Sequence, residues 1–269
     1  MVPYWIIDAF ADRPFGGNPA AVVIRDRCPD GAWMQAVAGE FQLSETAFCW
    51  PASGGWGLRW FTPVCEVDLC GHATLACAAA LWQSGRASAE LITFSTRSGE
   101  LQARGMDAAW RRIQIELPSA PCTAIADAGD ELGEILGARV CWVGGNQFDW
   151  LVELDDAEAV AQLQPDAGRI AGLPPRGIII TAQGTPALGC DVVSRFFAPR
   201  AGITEDAVTG SAHCALAPYW SRRLGLRTLD CRQLSRRGGR LEVELAGARV
   251  LIRGSAVMVA HGNLLVGGP

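Results

Sequence analysis

The chain has 269 residues, 49% hydrophobic and 19% charged, with a formal net charge of -5 and a pI near 5.3. Such a composition can build a sizeable core and excludes intrinsic disorder, and its acidic balance argues against a general nucleic-acid or membrane-surface binder. All 23 basic side chains are Arg, so enzymes that need a Lys amine are excluded: pyridoxal-phosphate enzymes, Schiff-base aldolases, P-loop proteins and protein kinases.

No uncharged apolar run reaches bilayer length, and the start (MVPYWIIDAF) lacks a basic n-region. A soluble cytoplasmic protein is expected, with no membrane and no nucleic-acid partner. The ten cysteines form no CxxC pair and read as reduced, mostly buried thiols.

In chain order, Gly17-Asn18 opens a first strand (GNPAAVVI). A helix is expected over 31–42, with Trp33, Met34, Val37, Ala38 and Phe41 at helical spacing. The strand ETAFCW follows, then a strand into Phe61-Thr62-Pro63. An Ala-rich helix begins at Gly71 and is apolar nearly all round, so it should be buried. Three short strands are expected at 91–96, 100–104 and 110–117, and LPSAPCTAIADAG (117–129) reads as a linker.

The same grammar then recurs. Gly145-Asn146 opens a strand, and a helix is expected roughly over 155–171. GIIITA follows, then a strand into Phe197-Ala198-Pro199 and a buried helix from Gly210. Strands at 229–234, 240–245 and 248–253 close the half. RSGEL at 97–101 matches RGGRL at 237–241. Several matches in one order indicate an internal duplication. Two α+β domains are expected, each a curved, mostly antiparallel sheet around a central helix. The first would hold 1–117 plus about 255–269, and the second 118–254.

Each central helix would present free N–H groups and a partial positive charge at its start. Gly71-His72-Ala73 and Thr209-Gly210-Ser211 therefore read either as anion holders or as tight strand-to-helix turns. Glu45 lies in the apolar strand ETAFCW. Aligning Thr46 with Thr181 puts Ile180 opposite it, so the position is expected to accept an apolar residue. A carboxyl there is either a proton shuttle with a raised pKa, a solvent-facing carboxylate or a cap partner of Ser44. His72 could relay a proton or start the helix, and Asp206, ahead of the Gly210 turn, could do either as well. Cys70-Gly71-His72 and His213-Cys214 fit no ordinary zinc spacing, and no metal is expected.

DAFADRPFGGNPAAVV, LSETAF, LRWFTPVCEVDLCGHATLA, FFAPRAGITEDAVTGSAHCALAPYW and QLSRRGG together resemble the phenazine-biosynthesis PhzF-like isomerase/epimerase family, over nearly the whole chain. The family is similar in fold to diaminopimelate epimerase, with two pseudo-symmetric domains, each a barrel-like sheet around a central helix. The resemblance implies no cofactor, a homodimer and a small carboxylic acid as substrate. It implies that Glu45 is the general acid/base, that His72, Asp206 and Ser211 bind and orient the substrate and assist the proton transfer, and that the Gly71 and Gly210 turns hold its carboxylate. Ala73, Thr209 and Gly210 belong to those turns. The first turn reads Cys-Gly-His-Ala here, where the phenazine enzyme's resembles Ala-Gly-His-Pro. Diaminopimelate epimerases use one thiol per half; Cys70 precedes Gly71, but Thr209 precedes Gly210.

The expected activity is a cofactor-independent isomerase that moves a proton between carbons of a small carboxylic acid. The alternatives are an amino-acid epimerase using Cys70 with Glu45, and a carboxylate-binding protein without catalysis.

Overall fold

The computed structural model describes residues 1–266; the last three residues of the expected first domain lie outside the described residues. The chain divides into two compact units, one of Met1–Leu117 with Ile252–Pro269 and one of Pro118–Leu251.

The first unit begins with β1 (Val2–Ala9), β2 (Asn18–Ile24) and α1 (Gly31–Phe41). It continues through β3 (Glu45–Ala52), β4 (Gly55–Phe61), β5 (Glu66–Val67) and α2 (Gly71–Gln83). It then adds β6 (Leu91–Thr96), β7 (Gly99–Gly105) and β8 (Arg112–Pro118). The second unit holds β9 (Thr123–Ala124), α3 (Gly129–Leu136), β10 (Val140–Gly145) and β11 (Asp149–Leu154). Two short helices follow, α4 (Ala157–Gln162) and α5 (Ala167–Ala171), then β12 (Gly177–Gln183), β13 (Val192–Ala198) and β14 (Ile203–Asp206). α6 (Gly210–Leu224), β15 (Thr228–Gln233) and β16 (Gly239–Ala246) complete it. β17 (Arg249–Leu264) pairs with β1 in the first unit.

The duplication is written in the strand directions. In the first unit β2 is parallel to β3, β3 antiparallel to β4, β4 parallel to β6 and β6 antiparallel to β7. In the second unit β11 to β12, β12 to β13, β13 to β15 and β15 to β16 repeat that series. The pairs β1–β17, β1–β2, β4–β5 and β7–β8 in the first unit, and β9–β10, β10–β11 and β13–β14 in the second, are antiparallel. Each sheet is thus mostly antiparallel with two parallel pairs at matching places.

Each unit wraps a helix with almost no exposed face. Every residue of α2 from Gly71 to Trp82 is buried, and Gly210, Ala212–Ala217 and Trp220 are buried in α6. A helix surrounded by sheet needs small side chains, and Ala at positions 73, 76, 78, 79 and 80 lets the strands approach. On the sheet's other face α1 lays Met34, Val37 and Ala38 against Val23, Phe48 and Phe61. In the second unit α3, α4 and α5 cover the equivalent face with Leu132, Ile135, Val160 and Ile170.

Two expectations are corrected. The single helix over 155–171 is two short helices, because Pro165 lacks the N–H that would continue the first. Asp156 caps α4 and Asp166 caps α5 through backbone N–H groups. The register also changes the partner of Glu45. Phe61 faces Thr46, and its repeat partner Phe197 faces Ile178. The position equivalent to Glu45 is therefore Gly177, not Ile180. A Cβ at Gly177 would lie 2.5 Å from the Phe196 ring, so a side chain there would have to displace that ring.

Candidate active site

β2 and β3 are parallel, with Ala20 opposite Glu45, so their first residues lie at the same end of the two strands. Asn18 is the first residue of β2 and Glu45 the first of β3. Cys70, Gly71 and His72 are brought to the same place at the start of α2. His72 is buried, with Nε2 3.3 Å from Glu45 Oε2 and 3.4 Å from Ser44 Oγ. Its Nδ1 lies 3.2 Å from Asn18 Nδ2 and 3.5 Å from Cys70 Sγ. Ser44 Oγ donates to Asn18 Oδ1 at 3.1 Å. Burial pushes the His72 pKa down to about 3, so the ring is neutral.

One arrangement of protons satisfies these contacts with Glu45 ionised. Asn18 donates to Nδ1, and the ring carries its proton on Nε2, where Ser44 Oγ accepts it; Glu45 Oε2 lies 3.3 Å from the same nitrogen, outside hydrogen-bond geometry. Glu45, Cys70 and His72 offer ligand-type atoms within 4.8 Å of one another. They do not converge as a zinc set would. The thiol faces one ring nitrogen and the carboxylate the other, whereas a metal takes one nitrogen and gathers its ligands around a single point.

The second unit holds Asp206, Thr209, Gly210 and Ser211 together. Asp206 spends its carboxylate on its own turn. Oδ1 accepts the Ala207 N–H at 3.0 Å, and Oδ2 accepts the Thr209 hydroxyl at 2.6 Å. Gln233, buried at the end of β15, fastens the turn from the other side. Its Oε1 accepts the Thr209 N–H at 2.9 Å, and its Nε2 donates to Asp206 O at 2.8 Å and to Thr209 Oγ1 at 3.2 Å. Ser235 Oγ adds a bond to Ala207 O at 2.7 Å. The side-chain chemistry of the sequence did not single out Gln233 or Ser235; the QLSRRGG motif that contains them was the available signal.

Beside this turn lies an ion pair that was also not anticipated. Arg176 holds Asp149 through Nε and Nη2 at 2.9 and 2.6 Å, and Nη2 reaches Ser211 Oγ at 3.4 Å. By register Asp149 stands where the first unit has Ala20, and Arg176 where it has Ser44. The two halves have therefore diverged at corresponding positions: a carboxylate beside a neutral imidazole in one, a closed Asp–Arg pair in the other. His213 is buried in α6, with Nδ1 2.8 Å from Thr209 O.

The two central helices begin without a side-chain cap. Neither Cys70 nor Thr209 makes one, whereas Asp30, Asp156 and Asp166 cap α1, α4 and α5. The backbone N–H groups at Gly71-His72-Ala73 and Gly210-Ser211-Ala212 thus carry the helix's partial positive charge with no side-chain acceptor in the capping position.

A family model described as phenazine biosynthesis-like protein matches residues 7–262. A curated relative from Halalkalibacterium halodurans, named an uncharacterized isomerase, is 44% identical, with 98% of each chain covered. The crystal structure of a PhzF-family phenazine biosynthesis protein from Enterococcus faecalis superposes with a TM-score of 0.90 at 38% identity, covering 98% of this chain and 99% of that one. A probable proline racemase from Agrobacterium radiobacter, solved with bound carbonate, shares the fold with a TM-score of 0.67 at 10% identity, over 99% of this chain and 94% of that one. The expected epimerase-like fold is the observed one.

Proposed function

The chain belongs to the phenazine biosynthesis-like (PhzC-PhzF) family, and on that premise we propose that it is a cofactor-independent isomerase that moves a proton between carbons of a small carboxylic acid, with Glu45 as the general acid/base. The observation that carries this reading is the Glu45 carboxylate 3.3 Å from a buried, neutral His72. Glu45 takes a proton from an activated carbon, and the electron pair left behind delocalises toward the substrate's carboxylate or carbonyl oxygen. The free N–H groups at the start of α2 meet that developing charge. Glu45, now protonated, returns the proton to a different carbon, so no oxidant or co-reactant is consumed. The turn at Thr209-Gly210-Ser211 is proposed as a second anion holder, with Asp206 and Gln233 acting through Thr209 to keep its shape.

The test is incubation in D₂O with a pool of small carboxylic acids, read by mass spectrometry. The native protein should label its substrate and Glu45→Gln should not, with turnover down by at least about a thousandfold. Gln is close to isosteric and the side chain is 12% exposed, so circular dichroism should show an intact fold. Retained turnover in Glu45→Gln would refute the assignment. One observation favours a second reading, an epimerase with unlike acid and base: Cys70 Sγ is within 4.8 Å of the carboxylate and ring atoms. Cys70→Ala in the same assay separates the two, since a thiol that moves a proton cannot be removed without loss of rate.

A further inference from the structure

We infer that Asn18 is a positioning residue that fixes the tautomer of His72, so that the ring presents an N–H and not a bare lone pair on the side of Ser44 and Glu45. The inference rests on the proposed role of Glu45 as an ionised base, both for its catalytic meaning and for the choice between the two hydrogen-bond circuits that the contacts allow.

Asn18 is 1% exposed, and a buried amide is tolerated only when its polar atoms are bonded. Both of its groups are spent far along the chain, Nδ2 on a ring 54 residues on and Oδ1 on a hydroxyl 26 residues on. Its repeat counterpart behaves differently. Asn146 Oδ1 accepts the N–H groups of Phe148 and Asp149, both at 2.9 Å, and Nδ2 donates to Ala120 O at 3.1 Å. That is an Asx turn serving the backbone. The Gly-Asn pair is common to both halves, and the first half alone turns the amide onto an imidazole.

The chain before Asn18 is built to deliver it. Gly17 has φ +60, and a Cβ there would come within 2.2 Å of Ala9 O. The buried Asp8 accepts the Phe15 N–H at 2.7 Å. These constraints set where β2 begins and therefore where the amide points.

The groups facing the ring are Asn18 from β2, Ser44 and Glu45 at the start of β3, and Cys70 ahead of α2. Glu45 is the acidic one among these. The reverse circuit, with the amide oxygen on Nδ1–H, would turn the Nε2 lone pair onto an ionised carboxylate, and like charge density at 3.3 Å is repulsive. The chosen circuit has a consequence for the reaction. A bare Nε2 would accept a hydrogen bond from the protonated Glu45 carboxyl and hold that proton on the ring's side of the carboxylate, away from the substrate. With Nδ1 held by Asn18 and Nε2 already protonated, the ring cannot take it, and the proton stays on Glu45 until it returns to carbon.

The experiment is ¹⁵N–¹H correlation of the imidazole nitrogens across pH 5.5 to 8, with the three His signals assigned by His213→Asn and His261→Gln. The native ring at position 72 should be neutral and protonated on Nε2 throughout. In Asn18→Asp the introduced carboxylate accepts from Nδ1–H, the ring becomes an imidazolium between two carboxylates, and its midpoint moves above about 6.5. The acid limb of the kcat profile should rise with it, which a merely structural change would not produce. An Nδ1–H tautomer or an imidazolium in the native protein at pH 7 overturns the inference, as does an unchanged ring spectrum in folded Asn18→Asp. Full turnover in Glu45→Gln would refute the base assignment while leaving this spectrum as it is.

Discussion

At the scale of single residues, Gly17 shows how backbone conformation reaches the chemistry. Its positive φ suits glycine, and its missing Cβ leaves room for Ala9 O. Gly17→Ala should cost about 2 kcal/mol or more in urea unfolding, since a left-handed Ala and a backbone clash act together. Gly54→Ala is the matched control. It has φ +77 with nothing within 4 Å of an added Cβ, so it should cost only about 1 kcal/mol. Equal losses would show that the approach to Ala9 O carries no weight. Gly17→Ala should also lower turnover by displacing Asn18, which Gly54→Ala should not. Glu45 and His72 were legible in the sequence because each is a polar group in an apolar or glycine-flanked setting. Asn18 and Gln233 were not, since an amide's partners 54 and 24 residues away leave no local pattern. Ile180 was a false partner for Glu45 because matching Thr to Thr ignores register, which is fixed by the strand facing Phe61 and Phe197.

At the scale of elements, the buried helices, the strand series and the duplication were legible, because an all-round apolar run and a repeated Phe-x-Pro are sequence features. The parallel pairs were not, since alternation along a strand is the same whichever way its neighbour runs. The break at Pro165 was written in the sequence but outweighed by the repeat with α1. Pro218 is the reverse case. It lies inside α6, and the helix continues through it. Pro has no N–H for the carbonyl of Cys214 four residues back, and that carbonyl instead accepts the Ala120 N–H at 2.9 Å. The segment expected to be a linker is thereby tied to the central helix of its own unit, and β9 within it pairs with β10. Pro218→Ala restores a helical donor that competes for the same oxygen. Amide exchange at Ala120 should accelerate at least about tenfold, while the gain in helix propensity keeps the midpoint of thermal unfolding from falling. Unchanged protection at Ala120 would mean that the proline is not what frees the Cys214 carbonyl.

At the scale of the whole molecule, each unit buries one histidine at the start of its central helix, and both are held neutral. Desolvation pushes His72 down to about 3; for His213 desolvation outweighs its bond to Thr209 O and leaves the pKa at about 4. Among the described residues the third, His261, is exposed. In the unfolded chain all three take up protons near pH 6.5. Between that value and about 4, the unfolded state therefore binds two protons that the folded state refuses. Stability must fall as pH falls through this window, by about 1.4 kcal/mol per pH unit for each buried ring and so about 2.7 for the pair. Below about 4 His213 stops contributing, and below about 3 so does His72. Urea unfolding at pH 6.5, 5.5 and 5.0 should show this slope, and His213→Asn, which leaves one buried ring, should halve it. A native stability that is flat across the window would mean that the rings are protonated in the folded state. That result would also count against a neutral His72 beside Glu45, so the acid limb of stability and the proton placement in the site are two readings of one buried group.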